Sequence, residues 1–124
     1  MEHLIPAKLD DVYKEMWRIL KPNGWLLVTT PNISSLIKRV KLLFGENPIE
    51  FDLGLHEGAT YGHIREYTMK ELEEILQDHG FFVLNKKYFM IDSRRSIYTR
   101  IEEVSAKVFP SFANNLGVLA KRTK

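Results

Sequence analysis

Within five residues, His63, Arg65, Glu66 and Tyr67 bring together an acid–base group, a fixed cation, a carboxylate and a phenol. In an extended segment His63, Arg65 and Tyr67 point one way and Ile64 and Glu66 the other. An imidazole titrates near neutrality, which makes His63 a candidate catalytic acid–base group. Arg65 and Tyr67 are candidates for holding a polar ligand such as a sugar or a carboxylate. The competing reading is structural: Arg65 and Glu66 pair with neighbouring elements and staple the loop to the helix that begins at Thr68. His56-Glu57, taken with His63, invites a metal reading, but the spacing puts no two imidazoles on one helical face and no third ligand is evident, so no metal site is expected. Pro31-Asn32 closes an apolar run, and ligands of α/β sheets bind just beyond the carboxyl ends of strands. Asn32 is equally fitted to the N-cap region of the helix that follows.

Several elements must position these groups. Leu9, Val12, Tyr13, Met16, Ile19 and Leu20 recur at helical spacing between charged residues, predicting an amphipathic helix over about 8–20. Lys21-Pro22-Asn23-Gly24 stops it, because the residue before proline avoids the helical region and Asn-Gly tolerates positive φ. Trp25 to Thr30 is continuously apolar and then Thr-rich, which suits a strand covered on both faces, as in a parallel sheet. Residues 34–44 read as a basic amphipathic helix ended by Gly45, with Lys38, Arg39 and Lys41 on a solvated face. From Glu46 to Gly62 no period holds, and so long a loop inside a compact domain is a candidate lid.

Thr68 with Glu71 three positions on forms a capping box for a helix that His79-Gly80 closes. Phe81 to Ile91 reads as one long or bulged strand, 94–108 as a less regular helix, and Leu116 to Ala120 as a last strand. The arginines 94, 95 and 100 are expected on a solvated helix face rather than on phosphate.

A chain of 124 residues, 44% hydrophobic, has room for one core and not two, so residues 1–124 are expected to form a single domain. A net charge of +2 gives no reason to expect nucleic acid. With no cysteine, disulfides, thiolate metal sites and a thiol nucleophile are excluded, which fits a reducing compartment. No stretch approaches the roughly 18 apolar residues of a membrane span, and Met1 to Pro6 lacks the pattern of a leader, so no membrane is expected and a cytoplasmic location is the default.

The element order, helix, strand, helix, loop, helix, strand, helix, strand, is an α/β pattern. With three local strings it resembles the carboxyl-terminal portion of class I S-adenosylmethionine-dependent methyltransferases. Glu2-His3-Leu4 before an amphipathic helix is similar to the segment after that family's fourth strand. Ile19-Leu20-Lys21-Pro22-Asn23-Gly24-Trp25-Leu26-Leu27 resembles the turn into its fifth. Thr30-Pro31-Asn32, then Gly62-His63-Ile64-Arg65-Glu66-Tyr67-Thr68 with Glu71-Leu72 and Gly80-Phe81, looks like a branch that modifies small molecules or saccharides.

The resemblance implies a partial Rossmann-like sheet of the family's last three strands, the final strand antiparallel and inserted between the two before it, with flanking helices. It implies S-adenosylmethionine as cofactor, Glu2 beside it, His3 as a further catalytic base, and Asn32, Arg65 and Tyr67 on the acceptor side. His3, next to the initiator methionine, is equally read as a frayed terminus. One departure limits the likeness: the family's glycine-rich loop after its first strand has no counterpart among the glycines at 24, 45, 54, 58, 62, 80 and 117. The chain therefore reads as a truncated methyltransferase whose complete form methylates a small molecule or saccharide, inactive alone. The alternative is a non-catalytic binding or regulatory module derived from such an enzyme and docked on a protein partner. Either way, the edge of strand 25–30 is expected to self-associate or to meet a partner chain.

Overall fold

Asn23 adopts φ +65° and Gly24 donates its N–H to the Lys21 carbonyl at 2.7 Å, so the Lys-Pro-Asn-Gly run makes the tight turn its composition predicts. The computed structural model describes residues 6–49, 64–91 and 96–123. The turn joins α1 (Pro6–Ile19) to β1 (Trp25–Pro31). There follow α2 (Leu36–Leu43), α3 (Met69–Asp78), β2 (Phe81–Phe89), α4 (Ile97–Val108), a single 3₁₀ turn (Pro110–Phe112) and β3 (Asn115–Arg122). This is the order expected from the sequence. The stretch predicted as a lid lies mostly outside the described residues, as do Arg94 and Arg95.

The stop signals act as their chemistry requires. Gly45, at φ +76°, donates to the Leu42 carbonyl and Glu46 donates to that of Lys41, closing α2 in a Schellman arrangement. At the start of α3 the Glu71 N–H donates to the Thr68 hydroxyl at 3.2 Å, and the Thr68 N–H donates to the Glu71 carboxylate at 2.8 Å. Gly80, at φ +79°, ends α3 under the Trp17 indole, where a Cβ would lie 2.9 Å from the ring nitrogen.

The three strands form one sheet in the order β1-β3-β2, with both pairings antiparallel. The last strand in sequence thus lies between the other two, with Val118 opposite Val28 of β1 and Lys86 of β2. A bulge between Val83 and Asn85 bends β2, as its polar middle suggests. One face of the sheet carries the core. Val28, Leu116, Val118, Ala120 and Phe81 meet Leu9 and Tyr13 of α1 and Leu72 and Leu76 of α3. Two polar ties hold α1 in place: the Arg122 guanidinium stacks 3.7 Å over the Trp17 ring, and the His79 Nε2 lies 3.0 Å from an Asp10 carboxylate oxygen.

The expectation that β1 is covered on both faces is corrected. Leu26, Val28 and Thr30 turn to the core, while Trp25 and Leu27 are each 67% exposed on the other face. α1 and α3 lie on one side only, so the apolar run that reads as two-sided burial leaves half of its side chains in solvent. Among the described residues no helix is long and apolar enough to cross a membrane.

Candidate functional site

The carboxyl end of β1 is where the sequence places the acceptor side, and there the chain makes a knot of long-range contacts. Asn32 leaves β1 by donating its N–H to the Asn114 carbonyl at 2.8 Å and forms a parallel bridge with Tyr67, whose carbonyl accepts from Ile33 at 3.2 Å. The Asn32 amide nitrogen donates to the carbonyls of Ser111 at 2.9 Å and Ala113 at 2.8 Å. Its oxygen accepts from the Ser34 N–H at 3.0 Å and the Ser34 hydroxyl at 2.7 Å. The amide's two donors and two acceptor positions are thus all used inside the protein. Asn32 is fully buried. The α2 cap itself falls at Ser35, without a side-chain cap bond, and Asn32 instead closes the turn before it.

Arg65 and Glu66 turn to different partners. The Arg65 guanidinium donates to Glu71 at 2.9 Å and lies 5.2 Å over the Tyr67 ring, remaining half-exposed. Glu66 is buried and pairs with Lys38 of α2, whose side chain is only 14% exposed. These pairs tie the segment before α3 to α2 and to its own helix cap, as the structural reading of the sequence expects. On the basic face of α2, expected in solvent, Lys38 is withdrawn to Glu66, whereas Arg39 stays exposed while donating to the Ser34 carbonyl and lying 5.1 Å over the Phe112 ring. Tyr67 is fully buried within the core. Glu2, His3 and His63 lie outside the described residues, as do His56 and Glu57. Among the described residues no group of three or more potential metal ligands assembles.

The sequence offers no sign of Glu102, which sits on α4 yet is buried against the first turn of α2. Its carboxylate accepts from the Ile37 N–H at 3.2 Å and from the Ser35 hydroxyl, capping α2 from another element. Burial pushes the Glu102 carboxyl up from its ordinary value, partly opposed by the Ile37 and Ser35 hydrogen bonds and by the nearby Lys38 charge. A carboxyl with a raised folded-state pKa stabilises most below its unfolded pKa, and that stability is lost as pH rises through the folded value. Glu102→Gln, neutral and able to accept from Ile37, should therefore melt a few degrees above the parent at pH 7 and level with it near pH 4. Thermal unfolding at the two pH values checks this, and a lower melting temperature for the variant at pH 7 contradicts it.

A groove of about 460 Å³ opens where α2 and α4 diverge, lined by Leu36, Ile37, Val40 and Phe44 from the α2 side and by Tyr98 and Ile101 of α4, with Lys41 and Glu46 as its polar residues. Its apolar residues are legible as the periodic positions of two amphipathic helices, but their juxtaposition is not.

Among the described residues, Gly24, Gly45 and Gly80 serve turns and helix ends and Gly117 lies within β3, so none of these four stands between a strand and the helix after it.

No family model matches the sequence, and no curated protein matches it. Solved structures do. An S-adenosylmethionine-dependent methyltransferase from Archaeoglobus fulgidus superposes with a TM-score of 0.58 at 18% identity over 98% of this chain and 55% of its own. A second, from Methanosarcina mazei and described in the same terms, gives 0.59 at 19% identity over 96% of this chain and 53% of its own. The chain spans about half the length of these structures. Together with a sheet whose last strand is inserted antiparallel between the preceding two, the likeness gives the chain a class I methyltransferase-like fold.

Proposed function

We propose that these 124 residues are the carboxyl-terminal portion of an S-adenosylmethionine-dependent methyltransferase whose complete form transfers a methyl group to a small molecule, saccharides included. The observation that carries this reading is that nearly all of the chain superposes on little more than half of each of two methyltransferases. The cofactor supplies a methyl group on a sulfonium, and its cradle belongs to the part of the fold that these residues do not form. Much of the acceleration in such a reaction comes from holding the acceptor in line, so this chain's contribution is positional. Asn32 and Tyr67, both buried, fix the end of β1 against the segment before α3. Arg65 is the candidate acceptor contact of the three, since its guanidinium, paired with Glu71, keeps about half of its surface in solvent. His3 and His63 are the candidate bases and Glu2 the candidate cofactor contact.

The test is to read the DNA upstream of the Met1 codon for an in-frame glycine-rich loop and to assay the extended product for transfer of a labelled methyl group from S-adenosylmethionine to a small-molecule extract. Transfer by the extended product and none by the 124 residues is expected. An extended product that binds no S-adenosylmethionine overturns the reading.

The same reading leaves β1 at an edge of the sheet, and an open strand edge recruits another strand. The isolated chain should therefore sediment and scatter as a dimer or larger species at micromolar concentration. A monodisperse monomer by light scattering counts against β1 being the seam to the rest of the fold.

A further inference from the structure

We propose that the α2–α4 groove binds the flat aromatic body of a small acceptor whose hydroxyl sits at the mouth between Lys41 and Glu46; the word acceptor rests on the methyltransferase reading, the binding does not. Four observations point there. The groove begins at Leu36 and Ile37, in the first turn of α2 and four to five residues beyond Asn32, so it lies near the carboxyl end of β1, where α/β sheets take their ligands. Its volume, about 460 Å³, falls in the range of small-molecule pockets. Phe44 at the end of α2 and Tyr98 in the first turn of α4 are 76% and 69% exposed, one ring from each wall, and such exposed aromatics suit stacking on a planar ring. Lys41 and Glu46 carry opposite charges, which suits a neutral group that both donates and accepts better than it suits a formal charge.

The walls are also held in place independently of any ligand. Glu102 bonds α4 to the start of α2 at Ile37, and Arg39 stacks on Phe112 just beyond α4. A saccharide fits this lining poorly. Each ring hydroxyl taken from water needs a new partner, and apart from Lys41, Glu46 and the Tyr98 hydroxyl the lining side chains offer none.

The experiment is a methyl-resolved NMR titration of the chain as it stands, with 2-naphthol in one series and methyl β-glucoside in the other. Saturable shifts of the Leu36, Ile37, Val40 and Ile101 methyls with 2-naphthol, and none with the glucoside, are expected. Ile101→Glu and Val40→Glu each replace an exposed residue, so both should leave the core methyls of Leu72, Leu76 and Val118 undisturbed while weakening 2-naphthol at least tenfold. No saturable shift, shifts centred on Leu27 and Leu119 of the bare sheet face, movement of the groove methyls by the glucoside, or an affinity for 2-naphthol in both variants equal to the parent's would each overturn the proposal. Neither cofactor nor turnover enters the readout. Groove binding without methyl transfer by the extended product removes the methyltransferase reading and leaves the site, and transfer without groove binding does the reverse.

Discussion

Replacing Lys38 with methionine should destabilise the chain by about 3 kcal/mol at pH 7, the order expected when one partner of a buried ion pair is removed. Glu66 is 1% exposed at its side chain and Lys38 14%, so water cannot take over the role of the lost ammonium. The methionine keeps the apolar stem and removes only the charge. Desolvation accounts for most of the loss, because the carboxylate stays buried while the Lys38 ammonium is removed. The double variant Lys38→Met/Glu66→Leu should recover most of the difference, since an apolar pair of similar volume has no charge to desolvate. Denaturant unfolding of the parent, both single variants and the double variant gives the coupling energy directly. Simple additivity would show that the two side chains do not hold α2 against the segment before α3. Surface pairs offer the contrast: Lys14 with Asp10 and Arg18 with Glu15 are both largely exposed along α1, and breaking them should change little.

Asn32→Asp should cost a similar amount, about 3 kcal/mol at neutral pH, although it changes one atom. The amide nitrogen of Asn32 is buried between the carbonyls of Ser111 and Ala113. A carboxylate there replaces two donors with an acceptor facing two acceptors, at a position closed to the solvent. Its pKa is expected to rise for that reason, so the variant should regain stability as pH falls and the protonated oxygen donates to one carbonyl. Asn32→Ala, which leaves the same carbonyls and the Ser34 N–H without their side-chain partner, should be destabilised at every pH. Urea titrations at pH 5 and pH 7.5 separate the two patterns. Stability of the Asn32→Asp variant equal to that of the parent at pH 7.5 would mean that this knot does not position the end of β1, and with it the start of α2.

These two residues also mark where sequence reading stops. Features whose partners lie within a turn were legible: the Thr68–Glu71 box, the helix ends at Gly45 and Gly80, and the Asn23-Gly24 turn each specify a conformation through neighbouring atoms. Even locally the reading had limits, because Ser96 and Thr99 make a second capping box at α4 with threonine where glutamate is usual. The order of elements, and through the resemblance the inserted last strand, followed from periodicity and a few strings. What did not follow is which residues meet when the partners lie far along the chain. Glu66 meets Lys38 across 28 residues, Glu102 meets Ile37 across 65, and Asn32 meets Ser111 and Ala113 across 79 and 81. Charges on α2 that look solvated in a helical pattern acquire partners only when the segment before α3 and the turn after α4 arrive. The bare face of β1 is the opposite case. A continuous apolar run states that both faces can be buried, not that this chain supplies what buries them.

The candidate site is legible to a similar depth. The acceptor side falls at the end of β1, as the strand rule requires, but the residues there mostly hold one another. The groove beside them, built by α2 and α4, comes from two helices separated by more than fifty residues.

Titration calorimetry of the 124-residue chain with S-adenosylmethionine bears most directly on the claim that these residues carry the acceptor side of a methyltransferase fold and not its cofactor cradle. No saturable heat at cofactor concentrations up to the millimolar range is the predicted result. Micromolar binding by this chain alone would contradict it, and would mean that a sulfonium site exists here without the glycine-rich loop.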